Sequence, residues 1–147
     1  MATVVPIETS GLGDRSYVVT DGAVAVVVDP QRDLDRIVDA VGDIPITHVF
    51  ETHIHNDYVT GGLALAQRTG AQYLVNGEDD VSFSRTPVTD GQVVEVGGRM
   101  RITALATPGH TFTHLSYALT DAGSRGDDSA LIRSQQSAAA CRRDDHV

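Results

Sequence analysis

Two short segments constrain this chain more than anything else in it: Thr52-His53-Ile54-His55-Asn56-Asp57-Tyr58 and Thr107-Pro108-Gly109-His110-Thr111. Each follows an apolar run, with Ile44, Ile46, Val49 and Phe50 before the first and Ile102, Ala104 and Leu105 before the second. Each therefore sits at the end of an expected buried strand. Imidazoles and a carboxylate gathered at strand ends are donors that a borderline-soft divalent metal accepts. In a flat strand residues 53, 55 and 57 would share one face at a spacing of roughly 6.5 Å. Ligands around one ion sit only about 3.3 Å apart. The backbone must curl just after Thr52 and present these side chains from a loop. Asn56 and Gly61-Gly62 suit a loop that runs into a helix N-terminus. A lone His-X-His usually belongs to an ordinary surface turn. His-X-His-X-Asp after a buried strand, with Pro-Gly-His-Thr downstream, points to a metal site.

The rest of the chain supplies alternating strands and helices. Residues 3–7 and 16–20 read as strands, and Asp21-Gly22 turns the second into an apolar run at residues 24–28, continuous enough for a strand buried on both faces. Asp29-Pro30 ends that run, because proline has no donor for further pairing. Leu34, Ile37, Val38 and Val41 recur at helical spacing and Gly42 stops the helix. Residues 46–50 form the strand that delivers the first motif. A helix at residues 63–68 closes at Gly70, a short strand follows at 73–75, and Asp90-Gly91 and Gly97-Gly98 turn strands 93–96 and 101–106. Residues 115–119 are the last strand expected. Strands mixed with crossover helices place the chain in the α/β layered class.

Composition narrows the function classes. At 147 residues one domain is expected, and 41% hydrophobic residues suit a packed core. No apolar run approaches the roughly 20 residues that cross a bilayer, and no basic segment leads into an apolar core at the N-terminus. A single cysteine, Cys141, forms no intrachain disulfide and lies outside any CxxC pattern, which agrees with a cytoplasmic setting. A formal net charge of −9 argues against nucleic acid and against anionic lipid. No membrane partner is expected, and oligomeric state is not legible.

The two motifs resemble the metallo-β-lactamase superfamily. The wording from Glu51 to Gly62, Glu-Thr-His-Ile-His-Asn-Asp-Tyr-Val-Thr-Gly-Gly, is similar to the persulfide dioxygenase and rhodanese-linked branch, near the hydroxyacylglutathione hydrolases. The resemblance runs from about residue 3 to about residue 120. It implies an αββα sandwich, here incomplete, with the N-terminal sheet, part of the second sheet and a metal site at one edge between them. By motif position it implies that His53, His55 and His110 hold the metal. It makes Asp57 a further ligand and the catalytic residue that handles a proton. The expected cofactor is one divalent ion, zinc or iron(II). The expected partner is a small-molecule thiol, persulfide or thioester. With zinc on three histidines the implied chemistry is thioester hydrolysis by an acidified water. With iron the expected set is two histidines and a carboxylate, with positions open for oxygen and a thiol.

Two departures from the family pattern stand out. Tyr58 occupies the place of a usual histidine, and a phenol with a pKa near 10 is a poor zinc ligand, which favours a single ion. The later bridging aspartate of the family has no counterpart in a convincing context. Residues 1–120 thus read as a partial metallo-β-lactamase-like domain and residues 121–147 as an atypical tail, disordered or weakly helical around residues 130–140. One reading is a solvated tail on a small variant. The other is loss of the family's frame near residues 122–124. All eleven basic residues are arginine, as a GC-rich coding sequence would give, and such DNA leaves other frames open. The enzymatic reading therefore competes with an inactive truncated remnant that at most binds a metal. A sheet face of Leu105, Leu115, Tyr117 and Leu119 is expected to lack cover.

Other candidates carry simpler readings. His48 is expected to be structural. His114 is either a partner that orients the site or a strand-start histidine. Asp29 reads as structural and Tyr58 as packing. Gly61-Gly62 either lets the backbone approach the site or caps the helix. Glu78-Asp79-Asp80 reads as a solvated acidic turn, and His146 as no ligand.

Overall fold

The structure, a computed structural model, describes residues 2–8, 15–54, 61–108, 112–122 and 130–132. Ten strands and two helices run in the order β1 (Thr3–Glu8), β2 (Arg15–Thr20), β3 (Ala25–Val28), α1 (Leu34–Val41), β4 (Ile46–Phe50), α2 (Gly62–Thr69), β5 (Gln72–Asn76), β6 (Thr86–Val88), β7 (Val93–Val96), β8 (Met100–Ala106), β9 (Leu115–Asp121) and β10 (Ala130–Ile132). The first six strands form one sheet in the order β1-β2-β3-β4-β5-β6, and the last four form a second in the order β10-β9-β8-β7. β3, β4, β5 and β6 are parallel. Their C-terminal ends therefore meet at one edge, where β4 hands over to the first motif.

Side-chain parity explains the layering. In the first sheet Val19, Val26, Val28, Phe50, Leu74 and Val88 face the second sheet, which answers with Val96, Met100, Ile102, Ala104, Leu115, Tyr117 and Leu119. The alternate residues Val18, Val27, Val49 and Val75 face Ile37 and Val41 of α1 and Leu65 and Ala66 of α2. A strand covered on both faces has to be apolar at consecutive positions, as Ala25–Val28 is. The result is a helix–sheet–sheet stack, an incomplete αββα sandwich in the α/β class, in which the described residues supply three layers. The Phe50 and Tyr117 rings meet edge to face across the two sheets, 4.8 Å between centroids.

Several expectations change on the structure. Leu105 pairs with Ser116, so it lies on the opposite face from Leu115, Tyr117 and Leu119. Those three are buried against the first sheet rather than uncovered. The error was one of parity, because the turn between β8 and β9 shifts the alternation. Within the tail expected to be disordered or weakly helical, residues 130–132 instead form β10, which pairs antiparallel with β9 and buries Ile132. β6 was not foreseen: Pro87 speaks against a central strand, and β6 sits at the edge where a proline is tolerated. Cys141 and His146 lie outside the described residues.

His48 shows how burial sets a charge state here. It is half-buried on β4, its ring stacks with Phe50 at 6.2 Å, and Thr47 Oγ1 lies 2.8 Å from its Nδ1. Burial pushes its pKa below the ordinary 6.5. Below pH 6.5 the unfolded chain therefore binds a proton that the folded chain refuses, and stability falls as pH drops towards the folded value. Above that pH the contribution is constant. Urea melts of the chelator-treated chain should lose less stability on acidification for His48→Gln than for wild type. Equal slopes would remove His48 as a cause.

Candidate metal centre

The first motif is set in place by a buried carboxylate from the neighbouring strand. Asp29, at the end of β3, is 4% exposed and adopts a positive φ of 51°. That conformation is uncommon outside glycine, asparagine and aspartate. Its backbone N–H donates to the Phe50 carbonyl at 2.9 Å, which ties it to the end of β4. Its Oδ1 accepts from the Thr52 N–H at 2.8 Å and its Oδ2 accepts from the Thr52 hydroxyl at 2.6 Å. The Thr52 Oγ1 lies 2.9 Å from His53 Nδ1. A hydroxyl has one proton, and here it is given to Asp29. Thr52 Oγ1 must then accept from His53, so Nδ1 carries the ring proton and in the neutral ring Nε2 keeps its lone pair. This is the tautomer a metal ligand needs, fixed by an outer carboxylate. On that chemistry His53 fits a bound cation.

The start of β9, just after the second motif, meets the described start of the first at the same corner. Leu115 N–H donates to the Thr52 carbonyl at 2.7 Å, and the Tyr117 hydroxyl donates to the Glu51 carbonyl at 2.6 Å. Thr107 repeats the part played by Thr52: its Oγ1 lies 2.9 Å from His114 Nδ1 and 2.8 Å from Ser116 Oγ. His114 is 1% exposed and its ring centroid lies 5.3 Å from that of His53. His114 is thus a hydrogen-bonded residue immediately before β9 and also a neighbour of His53, so each of the two readings left open for it has a contact behind it. Asp79 leaves the solvated turn expected for it: its Oδ1 accepts from the Thr113 hydroxyl at 2.6 Å, and Asn76 Nδ2 donates to the Thr113 carbonyl at 2.7 Å.

Beneath the motif lies a second buried carboxylate. Glu51 is 1% exposed, and its Oε1 accepts from the Tyr73 hydroxyl at 2.9 Å. Burial first, then the neighbouring carboxylates Glu51 and Asp29, push the Tyr73 phenol well above its ordinary range, and burial does the same to Tyr117. Both stay protonated donors. Gly62 opens α2 directly above Glu51. A Cβ on Gly62 would fall 2.1 Å from Glu51 Oε1, and one on Gly61 2.2 Å from the Gln31 carbonyl oxygen. The glycine pair thus answers a close approach. Neither makes a side-chain cap, and Gly61 is itself the N-cap residue.

Of the four ligands expected, His53 is placed at this corner, while His55, Asp57 and His110 lie outside the described residues, as does Tyr58. Among the described residues no three His, Cys, Asp or Glu side chains form a group that would hold a metal ion. Thr52, Thr107, Asn76, Glu51 and Asp79 were not singled out as site residues from the sequence. The one legible signal was a threonine ending each apolar run.

Comparison with known proteins then bears on the whole stack. A family model described as the metallo-beta-lactamase superfamily matches residues 11–125. The chain belongs to the metallo-β-lactamase superfamily. It is 32% identical over 117 residues to a hydroxyacylglutathione hydrolase from Acidiphilium cryptum, covering 77% of this chain and 47% of that protein. The structure of ETHE1 from Myxococcus xanthus superposes with a TM-score of 0.71 at 34% identity, covering 80% of this chain and 53% of that one. A metallo-β-lactamase from Staphylococcus aureus superposes with a TM-score of 0.74 at 29% identity, over 82% of this chain and 37% of that one. The chain thus spans about half the length, or less, of these curated relatives. Metal binding is typical of the superfamily. Among the described residues no helix is long and apolar enough to cross a membrane.

Proposed function

We propose that this chain carries a divalent metal centre, formed by His53, His55 and His110 with Asp57 beside them, that hydrolyses thioesters of small-molecule thiols. The observation that carries the reading is the Asp29–Thr52–His53 relay, which leaves Nε2 of His53 unprotonated in a buried corner between the two sheets. Support also comes from the segment after the second motif, where Leu115 bonds to Thr52 and the His114 ring lies beside that of His53. A bound zinc ion supplies Lewis acidity towards the thioester carbonyl and acidifies a water near neutral pH. The residues of the chain do the rest. Asp29 and Thr52 fix the ring of His53, Thr107 fixes His114, and Asp57 passes the water's proton to the leaving thiolate as the C–S bond breaks and a C–O bond forms. The relationship to the hydroxyacylglutathione hydrolase supports a glutathione thioester as substrate class.

The likeness to ETHE1 supports a second reading, an iron centre of the persulfide dioxygenase type. Metal analysis of the purified chain, followed by thioester turnover and by oxygen uptake with glutathione persulfide, separates the two. His53→Ala is expected to abolish retention of the ion, lowering bound metal from near one equivalent to background. Full retention would take His53 out of the centre. A metal-loaded chain that performs neither reaction is the inactive remnant.

A further inference from the structure

Phe112 stands almost wholly in water at 97% exposure, against 42% to 46% for Val5, Val93 and Leu131, the other exposed large apolar residues described. The backbone that follows it is nevertheless held in place. The next residue, Thr113, is gripped twice from the connection after β5, by Asn76 Nδ2 at its carbonyl and by Asp79 Oδ1 at its hydroxyl. Asn76 is in turn 5% exposed, and its Oδ1 accepts from the Glu78 N–H at 2.9 Å. One residue beyond, His114 is buried against the ring of His53. An aromatic face is thus held in solvent, on a clamped backbone, two residues from one imidazole of the corner. A side chain carried next to a backbone already held in place has only its own rotamers to order when a ligand covers it, which lowers the cost of binding. The surroundings select the ligand group. Glu78 and Asp80 are exposed acids on the clamping connection, and Arg85 at its end donates to the Asp79 carbonyl at 2.7 Å. A carboxylate is disfavoured there and an uncharged apolar group is not.

We infer that Phe112 is a specificity-determining residue that contacts an apolar substituent on the sulfur of a thiol-derived substrate, the acyl side of the thioester rather than its charged thiol-donor side. This rests on reading the centre as one that acts on such substrates. The test uses S-hexylglutathione and S-methylglutathione, thioethers that are not hydrolysed, titrated calorimetrically into the full chain. Wild type should bind the hexyl compound about tenfold or more tightly than the methyl compound. Phe112→Ser should reduce that ratio to under about threefold, and Phe112→Leu should keep most of it. A wild-type ratio near one overturns the inference, as does an unchanged ratio in Phe112→Ser. A Phe112→Ser chain that alters only sedimentation, and not the ratio, makes the residue an association surface and overturns it too. Metal content measured on the same samples keeps the two readings apart. An unchanged ratio in Phe112→Ser with metal intact sinks only Phe112, and metal retained by His53→Ala sinks only the proposed centre.

Discussion

Gly61→Ala is expected to destabilise the chain by about 2–4 kcal/mol, well beyond the roughly 1 kcal/mol that putting alanine at a helix N-cap usually costs. The residue has φ −81° and ψ 0°, so its backbone conformation suits alanine. Space is what it lacks. The new Cβ would meet the Gln31 carbonyl oxygen at 2.2 Å and Leu34 Cδ2 at 2.7 Å. The first of these is backbone, held where the Gly61 N–H donates to the Pro30 carbonyl at 2.9 Å. No rotamer change relieves it, so α2 has to move away from the segment after β3. That segment carries Asp29, and the disturbance should reach Thr52 and the metal centre proposed above. Gly98→Ala is the control: φ is 76° and no atom lies within 4 Å, so only the cost of a left-handed backbone applies, about 1–2 kcal/mol. Urea unfolding measures both. A Gly61→Ala chain within about 0.5 kcal/mol of wild type would mean the helix is free to shift and that the glycine is not required there.

Much of this was legible in the sequence because it rested on period and punctuation. The continuous apolar run after Asp21-Gly22 is buried on both faces as its pattern implied, and Gly42 and Gly70 close the two helices with φ of 65° and 73°. The motif at His53 lies past the end of β4, where the spacing placed it. What was not legible depended on partners far away in the chain. Asp29 reads as a strand-ending Asp-Pro, and nothing local says that it serves Thr52 across 23 positions. Asp79 sits in an acidic run that looks solvated, yet its oxygen is matched to a hydroxyl 34 positions on. Leu105 went to the wrong face because alternation cannot be carried through a turn of unknown register. Such pairings are fixed by the packing of the two sheets, which no window of sequence contains.

Asp29→Asn should separate the fold from the centre more sharply than any truncation. Asparagine tolerates the positive φ and keeps an oxygen for the Thr52 N–H, so the chain should stay folded. The other terminus becomes an N–H₂ group, which cannot accept from the Thr52 hydroxyl and donates to it instead. The hydroxyl proton then turns towards His53 Nδ1, now 2.9 Å away, and the ring must take the opposite tautomer, with its proton on Nε2. A ring in that state has no lone pair to offer a cation. Metal affinity is expected to fall about 10- to 100-fold, the range seen when a residue that orients a ligand is lost. The urea midpoint should move much less than for Asp29→Ala, which leaves two buried donors of Thr52 unmatched at about 1–3 kcal/mol each. Competition with a chromophoric chelator gives the affinity, and the nitrogen shifts of the His53 ring give the tautomer. If Asp29→Asn binds zinc as tightly as wild type, the proton order along this relay is wrong, and with it the argument that the fold prepares His53 to ligate.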